Sequence, residues 1–132
     1  MARHQIVLLV APSGLIRNVR AAGLEIYGYE VQVANNGAQA QEMLRSNRAI
    51  SVVIIDADLG GEINGLAAAR FARDMIPSID VIYTSRMPNR ITHADMVSGA
   101  PILRDPYHSH QLAAVLSHLR QRSPESGMTS AA

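Results

Sequence analysis

Apolar residues recur along this chain in two rhythms: short continuous runs, and longer stretches where they return every three or four positions. Ile6 to Val10 (IVLLV) is a run of the first kind, strand-sized and closed by Pro12 and Gly14. Leu15, Val19, Ala22 and Ile26 follow at helical spacing and share one face, until Gly28 breaks the pattern. Glu30 to Ala34 (EVQVA) alternates as a short strand. Asn36-Gly37 marks a turn, after which Ala40, Met43 and Leu44 line one side of a second helix.

The second half repeats the scheme. Ile50 to Ile55 (ISVVII) has no polar face, as expected of a strand buried on both sides, and it ends at Asp56. Gly60 and Gly61 mark a loop. Asn64 is placed to cap a third helix running to about Met75, with Arg70, Arg73 and Asp74 on its wet side and Phe71 in the core. Pro77 stops it. Ile79 to Tyr83 (IDVIY) predicts a strand leading into Thr84-Ser85, and Met87 to Gly99, though weakly periodic, predicts a short fourth helix. Pro101 to Arg104 reads as a brief strand before Asp105-Pro106. A last helix from about Ser109 carries Leu112, Val115, Leu116 and Leu119 on one face.

Strands that alternate with helices and are buried on both faces predict an α/β protein with a parallel sheet. Five such units with right-handed crossovers suit a flavodoxin-like, doubly wound (βα)5 fold with a five-stranded sheet in the order 2-1-3-4-5. The expectation is one domain over residues 1–122 and a flexible polar tail, SPESGMTSAA, over 123–132.

Composition narrows the function classes. The 132 residues suit one domain, and the 48% hydrophobic share is enough for a core. Twelve basic against eleven acidic residues leave a formal charge of +1, no electrostatic footprint for nucleic acid or an anionic membrane. Apolar runs are too short for a membrane span and no signal peptide is evident, so a soluble cytoplasmic protein is expected. There is no cysteine, which excludes disulfides and thiolate chemistry. All twelve basic residues are arginines; codon bias is the simplest reading, and whatever the cause, any mechanism needing a lysine is closed.

In open α/β sheets, ligands bind beyond the carboxyl ends of the strands, near the switch in strand order. That rule selects Ala11, Pro12 and Ser13; Asp56, Ala57 and Asp58; Thr84 and Ser85; and Arg104, Asp105 and Pro106. Asp56 stands at the centre. Its carboxylate could attack a phosphoryl group, hold a metal or cap backbone N–H groups, and spacing alone leaves these open. His108 and His110 are the only close histidine pair, and their spacing does not put both rings on one helix face. His4, His93 and His118 read as solvated. Ser13-Gly14 lacks the glycine pattern and lysine of a phosphate loop, and there is no nucleophile elbow. No enzyme activity is expected.

The run VVIIDADLGGEINGLAAAR, Val52 to Arg70, resembles the phosphoacceptor strand, loop and third helix of response-regulator receiver domains. YGYEVQVANNGAQA (Tyr27 to Ala40), VIYTS (Val81 to Ser85) and DPYHSHQLAAVL (Asp105 to Leu116) resemble further segments of that family, in register over roughly residues 5 to 120. The resemblance implies Asp56 as phosphoacceptor, the Asp58 backbone carbonyl as a Mg²⁺ ligand, and Thr84 as the hydroxyl meeting the phosphoryl group, with Ser85 beside it. It also implies Pro106 and Tyr107 as the proline and aromatic after the family's lysine. Tyr107 then lies near the family's output and dimerisation face, or is simply core.

The departures are large. The family's acidic pair after the first strand reads Ala11-Pro12, and its lysine reads Asp105. Mg²⁺ needs carboxylates and waters in a near-octahedral shell, so losing two anionic positions weakens it. Asp105 in place of a cation opposes a phosphoryl group: at about 5 Å and an effective dielectric near 20, each charge pair is worth roughly 3 kcal/mol. Asp105, Asp58 or Glu62 could restore metal ligation; otherwise Asp56 and Asp105 would lie close and share a proton. The expectation is a stand-alone, degenerate receiver in bacterial two-component phosphorelay signalling. It would act through contacts with a histidine kinase, phosphotransfer protein or downstream regulator, or as a homodimer. The alternative is a true phosphoacceptor at Asp56. A flavodoxin-like ligand binder is disfavoured, because no loop offers stacking aromatics or a phosphate nest.

Overall fold

The computed structural model describes residues 5–12 and 14–122. Ser13, His4 and the polar tail from Ser123 lie outside the described residues. The elements are β1 (Ile6–Val10), α1 (Leu15–Ile26), β2 (Glu30–Ala34), α2 (Gly37–Ser46), β3 (Ile50–Asp56), α3 (Gly65–Met75), β4 (Asp80–Ser85), β5 (Ile102–Arg104) and α4 (Ser109–Arg122). All five strands pair in parallel, in the order β2-β1-β3-β4-β5.

The strand runs are continuous because both faces of the sheet are covered, and alternate residues feed two cores. Leu8, Val10, Val53, Ile55, Val81 and Tyr83 point to the side of α2 and α3. Val7, Leu9, Val52, Ile54 and Ile82 point to the other side, with Leu24 of α1 and Leu112, Leu116 and Leu119 of α4. Each fully buried aliphatic side chain contributes about 1.5–3 kcal/mol, so the sheet is the stable platform on which the loops are mounted.

Two helices start on asparagine caps. Asn36 Oδ1 accepts the Gln39 N–H at 2.8 Å, and Gln39 Oε1 reaches back to the Asn35 N–H at 2.6 Å. Asn64 Oδ1 accepts the Ala67 N–H at 2.9 Å. The α3 face on the sheet is small, built from Gly65, Ala68, Ala69 and Ala72, so the helix lies close against it. A Cβ at Gly65 would sit 2.3 Å from the Asp56 carbonyl oxygen; only glycine lets the start of α3 meet the end of β3.

Two expectations need correction, and the α1 stripe acquires a direction. The segment Met87 to Gly99 forms no helix; it holds two single 3₁₀ turns, Pro88–Arg90 and His93–Asp95. Its apolar residues never build a helical stripe. Instead Met96, Val97 and Ala100 pack singly against the α2/α3 side of the core. In α1, Leu15, Val19, Ala22 and Ile26 do share a face, but it looks outward, with Leu15 77%, Val19 58% and Ile26 84% exposed. Ala21 and Leu24 face the core instead. Arg73, assigned to the wet side of α3, is half-buried and donates to the Ile79 and Ser98 carbonyls at 3.2 and 3.0 Å.

Candidate functional site

Asp56 is the last residue of β3, paired in register with Thr84 of β4, and both belong to the sheet face covered by α1 and α4. The Ala57 N–H donates to the Thr84 carbonyl at 2.8 Å, which fastens the β3 loop to the neighbouring strand. The Asp58 N–H donates to Asp56 Oδ1 at 2.8 Å. Asp56 therefore does act as a cap for backbone, while its carboxylate stays partly accessible.

Asp58 lies on the other flank. Its Oδ1 accepts the Ser85 hydroxyl at 3.1 Å and its Oδ2 accepts the Arg86 N–H at 3.1 Å. Ser85 Oγ in turn accepts the Met87 N–H at 3.0 Å. Thr84 and Ser85 are both buried, at 5% and 1% exposure. The side chain of Asp58 therefore has a role that its family position, a backbone carbonyl, did not suggest.

At the β5 end Asp105 is not an isolated acid. Arg20 Nη2 donates to Asp105 Oδ1 at 2.6 Å, and the same guanidinium stacks 3.9 Å from the centre of the Tyr107 ring. Arg20 reaches the turn because α1 and α4 nearly touch: a Cβ at Gly23 would lie 2.1 Å from Ser109 Oγ. The Asp105 N–H donates to the Ser85 carbonyl at 2.9 Å, and the Asp105–Pro106 peptide is cis. Tyr107 is 7% exposed and packs in the core with Leu112 and Leu116, so its own side chain offers little surface to a partner. Arg20 was missed; it stands 85 residues from Asp105, and nothing local in α1 distinguishes it from the other arginines.

Burial pushes the Asp56 carboxyl above its ordinary value of 3.8. The hydrogen bond from Asp58 works against that shift, the negative charges of Asp58 and Asp105 add to it, and Arg86 opposes it. Burial likewise raises the Tyr107 phenol, with Arg20 pulling it down. The charge of Asp105 thus bears on Asp56, while its own ion-pair partner is Arg20.

The side chains do not suit Mg²⁺. Ala11 and Pro12 bring no carboxylate, Asp58 is turned to the β4 loop, and Asp105 is engaged by Arg20. Among the described residues no group of three histidine, cysteine or acidic side chains could hold a metal ion. His108 and His110 do come together, with ring centroids 5.4 Å apart and planes 10° from parallel. His108 precedes α4, so helical spacing does not govern the pair. Phe71 is part-buried against the core under Arg45, while His93 and His118 are exposed.

A doubly wound sheet with a lone aspartate at the end of its third strand defines the class, and comparisons with known proteins supply the family. No protein-family model matches the chain. A putative NtrX-like response regulator of Rickettsia conorii is 38% identical over 114 residues, covering 84% of this chain and 24% of that protein. A probable transcriptional regulatory protein of Picosynechococcus is 32% identical over 107 residues, covering 76% of this chain and 41% of that protein. The crystal structure of a response regulator receiver protein from Sinorhizobium medicae superposes with a TM-score of 0.77 at 27% identity, covering 88% of this chain and 94% of that one. The chain is a receiver domain of two-component response regulators, and it spans less than half the length of these curated relatives.

Proposed function

We propose that this receiver domain relays signals in the cytoplasm through protein contacts, as a binding module, without depending on a phosphoryl group at Asp56. One observation carries the reading: the acidic pair that would hold Mg²⁺ and the lysine that would pair with phosphate are both replaced. Ala11 and Pro12 replace the acidic pair, and the lysine position carries Asp105, bound to Arg20 at 2.6 Å. No helix among the described residues is long and apolar enough to cross a membrane.

The surface that supports a protein partner is α1. Leu15, Val19, Ala22 and Ile26 are separated by four, three and four residues, the narrow seam by which one helix packs along another. That stripe is exposed and lies on the helix that carries Arg20. A helical segment of a kinase, a phosphotransfer protein or a downstream regulator fits it.

The second reading, a true phosphoacceptor, draws on Arg86. Its charge favours the ionised form of Asp56 and would favour an added phosphoryl group for the same reason. An Asp56 oxygen would then take the phosphoryl group from an acyl phosphate, with the carboxylate donor leaving. Intact-mass spectrometry after incubation with acetyl phosphate and Mg²⁺, beside Asp56→Asn, separates the two. No adduct on the folded protein is expected; an adduct on the parent but not on Asp56→Asn overturns the first reading.

A further inference from the structure

We infer that Asp58 is the positioning residue of the β4 loop, holding it over Asp56 whatever Asp56 carries. The two loops belong to different crossovers, yet one carboxylate ties them together. Asp58 is exposed, and a free acid there would sample solvent; both of its oxygens instead accept donors from residues 85 and 86, at 3.1 Å each. Hydrogen bonds to an ionised acceptor are the stronger kind.

The contacts form a chain. Asp56 Oδ1 fixes the Asp58 N–H, the Asp58 side chain fixes Ser85 and the Arg86 N–H, and the Ser85 hydroxyl fixes the Met87 N–H. Ser85 is almost wholly buried, so its hydroxyl has little access to water as an alternative partner. The chain ends at Arg86 and Met87, both exposed, which are thereby presented in a set place beside the site.

The consequence is competitive. The Ser85 hydroxyl and the Arg86 amide are donors of the loop that borders Asp56, and Asp58 already uses them. An anion placed on Asp56 would have to draw them away from a carboxylate tethered two residues along the chain. This deepens the reading above, since a loop held by Asp58 needs no phosphoryl group. It rests on the hydrogen bonds that Asp58 accepts, not on whether Asp56 accepts a phosphoryl group.

The test is residue-resolved amide hydrogen exchange on the full chain, comparing the parent with Asp58→Ala and Asp56→Asn. In Asp58→Ala the Arg86 and Met87 amides should exchange about tenfold faster or more, while the core amides of β3 and β4 stay within about twofold. In Asp56→Asn, which keeps an acceptor for the Asp58 N–H, all of these should remain near the parent. Unchanged Arg86 and Met87 amides in Asp58→Ala overturn the proposal, as does a loop loosened by Asp56→Asn. If Asp58→Ala does not fold, Asp58→Ser, which lacks the paired acceptors, carries the test: its Arg86 amide must lose protection or the proposal fails. The adduct mass judges the phosphoacceptor question separately, so either idea can fall alone.

Discussion

Two crossovers leave neighbouring strands and do the same job by different means. From β3 to β4 the chain runs through α3, which has an asparagine cap, a glycine at its mouth and a stripe of alanines on the sheet. From β4 to β5 it runs through two 3₁₀ turns, and polar pins replace the missing stripe. The Val97 N–H donates to the buried Tyr83 hydroxyl at 3.0 Å, and Arg73 of α3 reaches the Ser98 carbonyl at 3.0 Å. A cleft of about 530 Å³ opens where this crossover meets α4, lined by Gly99, Pro101, Ala114, Val115 and Leu119. The contrast teaches that a crossover without periodic apolar residues is held by a few directed bonds and single apolar contacts.

The comparison can be broken most strongly at α3. Gly65→Val drives a branched side chain into the Asp56 carbonyl and should cost about 3 kcal/mol in chemical denaturation. A cost near zero would mean that α3 lifts freely from β3. A smaller effect belongs to the second crossover. Tyr83→Phe removes the acceptor of the Val97 N–H and should cost about 1 kcal/mol, with faster exchange confined to residues 92–99. If the whole domain loosened instead, the two crossovers would be one cooperative unit.

The smallest effect is a pH dependence at the start of the first crossover. The folded Asp56 carboxyl titrates above its ordinary 3.8, so the folded state binds that proton more tightly than the unfolded chain. Stability therefore falls as pH rises through the window between 3.8 and the raised value, and the loss persists at neutral pH. Asp56→Asn removes it and should melt about 2 °C higher at pH 7, an effect kept small by the partial exposure of the carboxylate. The advantage should vanish in acid below that window; one that persisted there would point to some other cause.

Much of this molecule was legible in the linear pattern. The strands and the capped α3 follow from local runs and single punctuating residues, and five alternating units leave few ways to order a parallel sheet. Ala11, Pro12 and Asp105 were equally visible, because a departure from a motif is a local fact. What escaped was relational. Arg20 looked like any surface arginine until the close approach of α1 and α4 brought it onto Asp105 and Tyr107. The direction of the α1 stripe also escaped, since spacing shows that four residues share a face and not which way it looks. The 87–99 segment was misread because weak periodicity was given to the element usual at that place in the order.

The sheet also has edges. β5 is one of them, three residues long and followed directly by Asp105-Pro106, and β2 on the other side places Glu30 and Gln32 among its five residues. An edge that short and a border that polar are poor templates for an incoming strand, which protects the domain from edge-to-edge association and aggregation. Strand addition is thereby disfavoured as a way of recruiting a partner. The helices and loops are the surfaces this leaves to a partner.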